Sequence, residues 1–150
     1  MRFDASQVNR NLDKFSEVFE DACREGLGAA GVQLMNDTVQ DIPQTPILTS
    51  ALRGSGAVFV SGKKVADSTH GIPEFRPDAR ASSNKATDKV GEALFNAPYA
   101  FIQHEAYKKK SIPTAGMKYL ERKIYGNARE YFKTIANTIN NRIKGFRTIA

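Results

Sequence analysis

Cysteine and histidine are nearly missing from this 150-residue chain: it has one cysteine, Cys23, and two histidines, His70 and His104. A single cysteine cannot make an internal disulfide. Cys23 sits inside an amphipathic helical pattern, far in sequence from either histidine. A buried thiol is therefore its expected role, and a Cys–His nucleophile has little support. His104-Glu105 would open a zinc-protease helix only if a second histidine stood four positions after the first, and that position is Lys108. No apolar run approaches the ~20 residues that a membrane span needs. The first fifteen residues, MRFDASQVNRNLDKF, contain acids and no apolar stretch. Neither a signal peptide nor a transit peptide is expected there, and the protein is expected in a cytoplasm unless something larger carries it out. Catalysis, a cofactor and a bound metal are all unexpected.

What is present is a globular composition, 41% hydrophobic and 25% charged. The length fits one domain, residues 1–150, large enough to bury a core. The net charge of +6 is unevenly spread. Residues 1–42 hold four Lys/Arg against eight Asp/Glu, a net −4, and residues 43–150 hold eighteen against eight, a net +10. Eleven of those bases and only two acids follow Glu105. Such a split suits either nucleic acid on the basic half or two copies meeting acidic face to basic face.

Residues 6–42 read as helix, with Val8, Leu12, Phe15, Phe19 and Ala22/Cys23 at three- and four-residue steps, and Val32, Met35, Val39 and Ile42 resuming the pattern. Between them lies Gly26-Leu27-Gly28-Ala29-Ala30-Gly31. It is spaced like a dinucleotide fingerprint but follows no strand, so close helix packing is the better account. Each glycine costs a helix ~1 kcal/mol relative to alanine. The expectation is one long helix with a weak middle, or two helices meeting there, ended by Pro43. A connection with two prolines and a short turn at 49–54 leads to a strand at 57–60, and Ser61-Gly62-Lys63-Lys64 turns into a second short strand at 65–66. Residues 67–88 lack any period and are expected to be a flexible loop, or an arm that orders against a neighbour. Strand character returns at 89–95.

Residues 96–120, NAPYAFIQHEAYKKKSIPTAGMKYL, concentrate the local signals. They read as the end of a strand, a short helix opened by Pro98, a basic loop at Lys108-Lys109-Lys110, and the entry to the last helix past Gly116. From Met117 to about Ile143, Leu120, Ile124, Ala128, Tyr131/Phe132, Ile135, Ile139 and Ile143 form one stripe. The five tyrosines and nine phenylalanines fall mostly on such stripes, where core packing explains them without base stacking. The predicted architecture is α+β: a small antiparallel sheet bracketed by a long N-terminal and a long C-terminal helix that lay their stripes on one face of it.

Three short motifs, in this order, resemble those of the small head–tail connection proteins of long-tailed bacteriophages, also labelled neck, tail-completion, tail-component or minor capsid proteins. The first, of the form P-x-x-T-G-x-L-R-x-S, reads Pro46-Ile47-Leu48-Thr49-Ser50-Ala51-Leu52-Arg53-Gly54-Ser55, with Ser50 where the family usually has glycine. The second is Tyr99-Ala100 followed by His104-Glu105, and the third is Gly116-Met117-Lys118-Tyr119-Leu120-Glu121. The resemblance implies a virion structural protein that forms or joins a ring of six or twelve copies at the head–tail junction. It further implies head-completion or connector proteins, a tail terminator or tail tube, and the genomic double-stranded DNA of the channel as partners, with no membrane. On the residues themselves, the serine- and arginine-bearing turn can anchor a strand through side-chain-to-backbone hydrogen bonds, and His104-Glu105 can cap a short helix. The expected contact residues are Arg53, Phe75 and Arg76 in the 67–88 arm, Lys108, Lys109 and Lys110, and Arg122 and Arg129 on the last helix. Three alternatives stand beside this reading. They are a tail terminator or tail-tube protein, a nucleic-acid-binding module using the basic half, and an enzyme, which would need a pocket holding His104 and Glu105 with perturbed pKa values.

Overall fold

A computed structural model of the chain describes residues 5–41, 44–45, 52–68, 75–76, 90–105 and 116–149. Its first element is one unbroken helix, α1 (Ala5–Gln40). The glycines of its middle are contact points instead of a break. A Cβ on Gly31 would collide with Val58 Cγ1, and one on Gly28 would come within 3.6 Å of Val65 Cγ2. A Cβ on Gly26 would stand 3.2 Å from the Cα and carbonyl oxygen of Ile135. Gly26 and Gly31 lie five residues apart, about 140° around a helix. They therefore serve different neighbours, a second helix on one side and the sheet on the other. α1 ends at Gln40, where the Thr38 carbonyl accepts both the backbone N–H (2.9 Å) and the hydroxyl (3.1 Å) of buried Thr45.

A single 3₁₀ turn (Arg53–Ser55) enters β1 (Gly56–Val60), and β2 (Lys63–Ser68) returns antiparallel to it. Ser61 (φ 50°) and Gly62 (φ 77°) both take left-handed conformations. That is the turn whose twist suits a tight hairpin. β4 (Gly91–Phe95) pairs on the other side of β1, Val58 opposite Ala93. Within the stretch expected to be aperiodic, Asp67 and Ser68 complete β2, and Phe75 and Arg76 form the two-residue β3 paired with them. Sequence alone hides so short a strand, because two residues show no alternation. The sheet order is β3-β2-β1-β4, all antiparallel, which makes β4 an edge. The rest of 67–88 lies outside the described residues.

The last helical pattern is two helices, not one. α3 (Tyr119–Gly126) and α4 (Ala128–Ile149) meet at Asn127, whose backbone (φ −113°, ψ 13°) leaves the helix. The Asn127 side-chain amide donates to Asp37 Oδ2 at 3.3 Å, so the break lies where the chain reaches across to α1. Entry into α3 also differs from expectation. The left-handed residue is Lys118 (φ 52°, ψ 36°), and Gly116 is not among the positive-φ residues.

The architecture is α+β, a small antiparallel sheet with a long N-terminal helix and C-terminal helices. Met35 of α1 packs on Val58 and Ala66, flanked by Val32, Val65, Ala93, Phe95 and Leu120. α4 was expected to lie on the sheet but packs along α1. Tyr131 Oη donates to Asp37 Oδ2 at 2.8 Å, Thr134 Oγ1 donates to Gln33 Oε1 at 2.6 Å, and Arg142 pairs with Glu25 at 3.0 Å. The two helices run antiparallel, and the acidic helix meets the basic one inside a single chain. Charge asymmetry along the sequence therefore does not by itself require a neighbour.

Two glycines separate contact from propensity. Gly31→Ala is expected to lower unfolding free energy by about 1–3 kcal/mol, since Val58 is fully buried in an interior strand and cannot withdraw. Gly145→Ala, with nothing within 4 Å, should instead raise it by roughly 0.5–1 kcal/mol through helix propensity. Urea denaturation of the two variants checks both signs.

Candidate functional site

The described residues of the three sequence motifs, far apart along the chain, close into one hydrogen-bonded circuit. Arg53 lies in the first. Its Nε and Nη2 donate to the Thr45 carbonyl at 3.0 and 2.9 Å, and Nη2 also reaches Gln44 Oε1 at 3.4 Å. Ser55 Oγ donates to the Leu52 carbonyl at 2.7 Å and accepts the backbone N–H of Ala97 at 3.1 Å. The Ser55 carbonyl accepts Asn96 N–H at 3.0 Å. These bonds tie the turn before β1 to the exit of β4, where α2 (Ala100–Glu105) begins.

The second motif then holds the third. The His104 carbonyl accepts Lys118 N–H at 2.6 Å, and the imidazole stands edge-on to the Tyr119 ring at 5.0 Å between centroids. Phe95 meets the same ring edge-on at 5.6 Å. His104 Nδ1 lies 2.6 Å from Glu105 Oε1, while Lys118 Nζ lies 2.7 Å from Glu121 and 3.9 Å from Glu105. Gly116 N–H returns to the Gln44 carbonyl at 3.3 Å and completes the circuit. The expected strand-anchoring turn is thus present. His104-Glu105 ties the end of α2 to the start of α3.

Electrostatics follow from this placement. Tyr119 is 1% exposed, and burial pushes its phenol up to about 12. Burial raises the Tyr131 phenol too, with the Asp37 carboxylate adding to it. Partial desolvation lowers the Arg53 guanidinium from its ordinary value, and the hydrogen bond to Glu121 raises the Lys118 ammonium. Both tyrosines stay neutral hydrogen-bonding or packing groups through the physiological range.

The other feature is uncovered apolar surface. Phe101 (76% exposed) and Ile102 project from α2, while Tyr125 (77%), Ile124 and Phe132 (71%) project from α3 and α4. Val8, Leu12, Phe15 and Phe19 are exposed along the first half of α1, with the Phe15 and Phe19 rings stacked at 6.2 Å. An apolar groove of about 330 Å³ opens between α1, the β4 edge and α3–α4. Neither His104 nor Glu105 lines it. Among the described residues no group of three His, Cys, Asp or Glu is placed to hold a metal, and no helix is long and apolar enough to cross a membrane.

The residues expected to make contacts are dispersed. Arg53 is half-buried, and its guanidinium braces the Thr45 carbonyl, as the strand-anchoring reading of this turn expects. Phe75 and Arg76 are placed only as backbone of β3, and Lys108, Lys109 and Lys110 lie outside the described residues. Arg122 and Arg129 are exposed on α3 and α4, close in sequence to Tyr125 and Phe132. The groove itself was missed. Its signal was present in the exposed-looking Phe132 beside Tyr131, where one aromatic faces inward and its neighbour cannot.

Comparison with protein-family models, with curated proteins and with solved structures finds no match.

If Arg53 is an internal brace, Arg53→Ala should destabilise the isolated chain by roughly 1–2 kcal/mol, with Arg53→Lys recovering only part because an ammonium cannot reproduce the fork. Ser55→Ala, which leaves Ala97 N–H without its acceptor, should cost about 1 kcal/mol or more. Wild-type denaturation midpoints for all three would contradict the circuit.

Proposed function

We propose that this chain is a virion structural protein of a long-tailed phage, forming or joining a ring at the head–tail junction around the DNA channel. One observation carries this reading: large apolar side chains are exposed on three separate parts of the subunit, most fully on α2 and the α3–α4 corner and in part along the first half of α1. Exposed apolar patches on several faces mark surfaces that other protein covers. The residues of the three motifs that resemble those of head–tail connection proteins support it further, since they brace the frame from which these surfaces project. The motif residues thus support the shape of the subunit, and Phe101 and Ile102, within the span of the second motif, are among its exposed apolar groups.

The chemistry required is modest. A ring subunit must present two different surfaces to its two neighbours and rigid end surfaces to the layers above and below. Arg122, Arg129 and Lys133 supply exposed positive charge to whichever acidic surface or phosphate backbone comes closest.

Electron microscopy of particles made with and without the gene tests the role. Filled heads separate from finished tails are expected in its absence. Joined, intact particles would contradict the role. Joined tails of uncontrolled length would instead point to a tail terminator.

A further inference from the structure

Past Glu130 the chain has no acid: residues 131–150 hold Lys133, Arg142, Lys144 and Arg147 and neither Asp nor Glu. A helix side that meets only water ordinarily mixes both signs, as α1 does with three bases and six acids. At 100° per residue, Tyr131, Thr134, Ile135 and Arg142 fall on the side of α4 that meets α1. Arg129, Lys133, Ala136, Asn137, Asn140 and Lys144 fall within about 100° of arc on the opposite side. All six are exposed. From Arg129 to Lys144 this stripe is ~22 Å long.

The make-up of the stripe decides its partner. Arg129 forms no ion pair among the described residues. Lys133 lies 3.6 Å from Glu130, and both side chains are more than half exposed. A pair of that kind is weak and leaves the ammonium available to a stronger counter-charge. Among the described residues the Asn137 and Asn140 amides make no hydrogen bond. Asparagine is a poorer helix former than alanine or lysine, so helix propensity does not account for two of them here. Ala136 is the one apolar member, which leaves the stripe without the apolar centre, poor in lysine, of a protein–protein contact. It has no aromatic ring either, and so no platform for stacking the bases of a single strand. What it offers is positive charge and amide donors along a straight rod. That matches a duplex, whose backbone carries one negative charge per ~1.7 Å of axis and whose phosphate oxygens accept from Arg, Lys and Asn.

We propose that the outer side of α4 binds the phosphate backbone of double-stranded nucleic acid without reading its sequence. Arg129, Lys133 and Lys144 displace counterions from the backbone, and Asn137 and Asn140 donate to phosphate oxygens between them. The ~22 Å of the stripe spans about six base pairs at ~3.4 Å each. α4 is held to α1 by its other side, so the contact needs no rearrangement of the subunit. It is a property of the single chain and does not require the ring.

Fluorescence anisotropy of a labelled random-sequence DNA duplex, titrated with the full-length chain over a series of salt concentrations, tests this. Binding that is indifferent to sequence and weakens steeply with salt is expected. The triple variant Arg129→Gln, Lys133→Gln, Lys144→Gln should bind more weakly, with a log–log salt slope shallower by about one for each base removed. Glutamine is a good helix former, so the fold should survive, which circular dichroism checks. Asn137→Ala with Asn140→Ala should weaken binding severalfold and leave the slope unchanged. Removing the same charge elsewhere, by Arg10→Gln, Lys14→Gln and Lys63→Gln at exposed positions, should leave affinity and slope near wild type. No duplex binding at low salt would overturn the proposal. So would an α4 triple variant that binds like wild type, a control triple variant that loses as much, or a preference for single-stranded DNA. Equal binding to phosphatidylserine vesicles, lost with the same three substitutions, would also overturn it, by making the stripe a general anion surface. Phage particles enter none of these measurements. Duplex binding alongside joined particles in the gene's absence keeps the α4 contact and removes the head–tail role; unjoined particles with no duplex binding do the reverse.

Discussion

A helix of 36 residues set against strands of five or six is the constraint from which the rest of this structure follows. At ~1.5 Å per residue α1 is about 54 Å long, whereas a five-residue strand spans only about 17 Å. The sheet can therefore cover one stretch of α1, and the glycines determine which. Gly28 and Gly31 let β1 and β2 approach, and Gly26 lets α4 cross on another side. Larger side chains there would hold the layers apart and loosen the Met35–Val58–Ala66 core. Toward its N-terminus α1 runs beyond the sheet, and Val8, Leu12, Phe15 and Phe19 there are exposed in part.

The second feature is the circuit that joins the end of α1 to the 3₁₀ turn, the exit of β4, α2 and the entry of α3. None of these bonds is individually strong, each contributing about 1 kcal/mol net. Together they fix four chain crossings in one place, with the Tyr119 ring between Phe95 and His104 as the apolar filling. Phe101 and Ile102 project from this braced region, and the α3–α4 corner starts from it. Rigid support beneath exposed apolar groups keeps them in position for a partner instead of letting them collapse onto their own chain.

Much of this could be read from the residues. Helix periodicity locates α1 and the C-terminal stripe, β-branched and aromatic clustering locates β1, and the Ser61-Gly62 turn sets the hairpin. The glycine run was also correctly a packing surface. Other features were not legible, each for a physical reason. Asn127 interrupts the last helix because its amide bonds to Asp37, ninety residues earlier, and a local pattern holds no trace of that. Lys118 takes a left-handed conformation that its side chain does not favour, beside a glycine that suggested itself for the role. The strand-anchoring role of the Arg53 turn was legible, but its particular acceptor, the Thr45 carbonyl, is backbone, which no side-chain pattern reveals. Above all, periodicity shows which face of a helix is apolar and not what covers it. Val8, Leu12, Phe15 and Phe19 read as core and stand exposed.

The central claim is that the first half of α1 is completed by another protein chain. Hydrogen exchange of its backbone amides, in the free subunit and in the assembled particle, tests this most directly. In the free subunit residues 6–18, beyond the reach of α4, should exchange well ahead of residues 26–39, which pack on the sheet and on α4. In the particle the two halves should be protected alike. If residues 6–18 exchange equally fast in both states, no partner covers the stripe, and the account fails at its foundation.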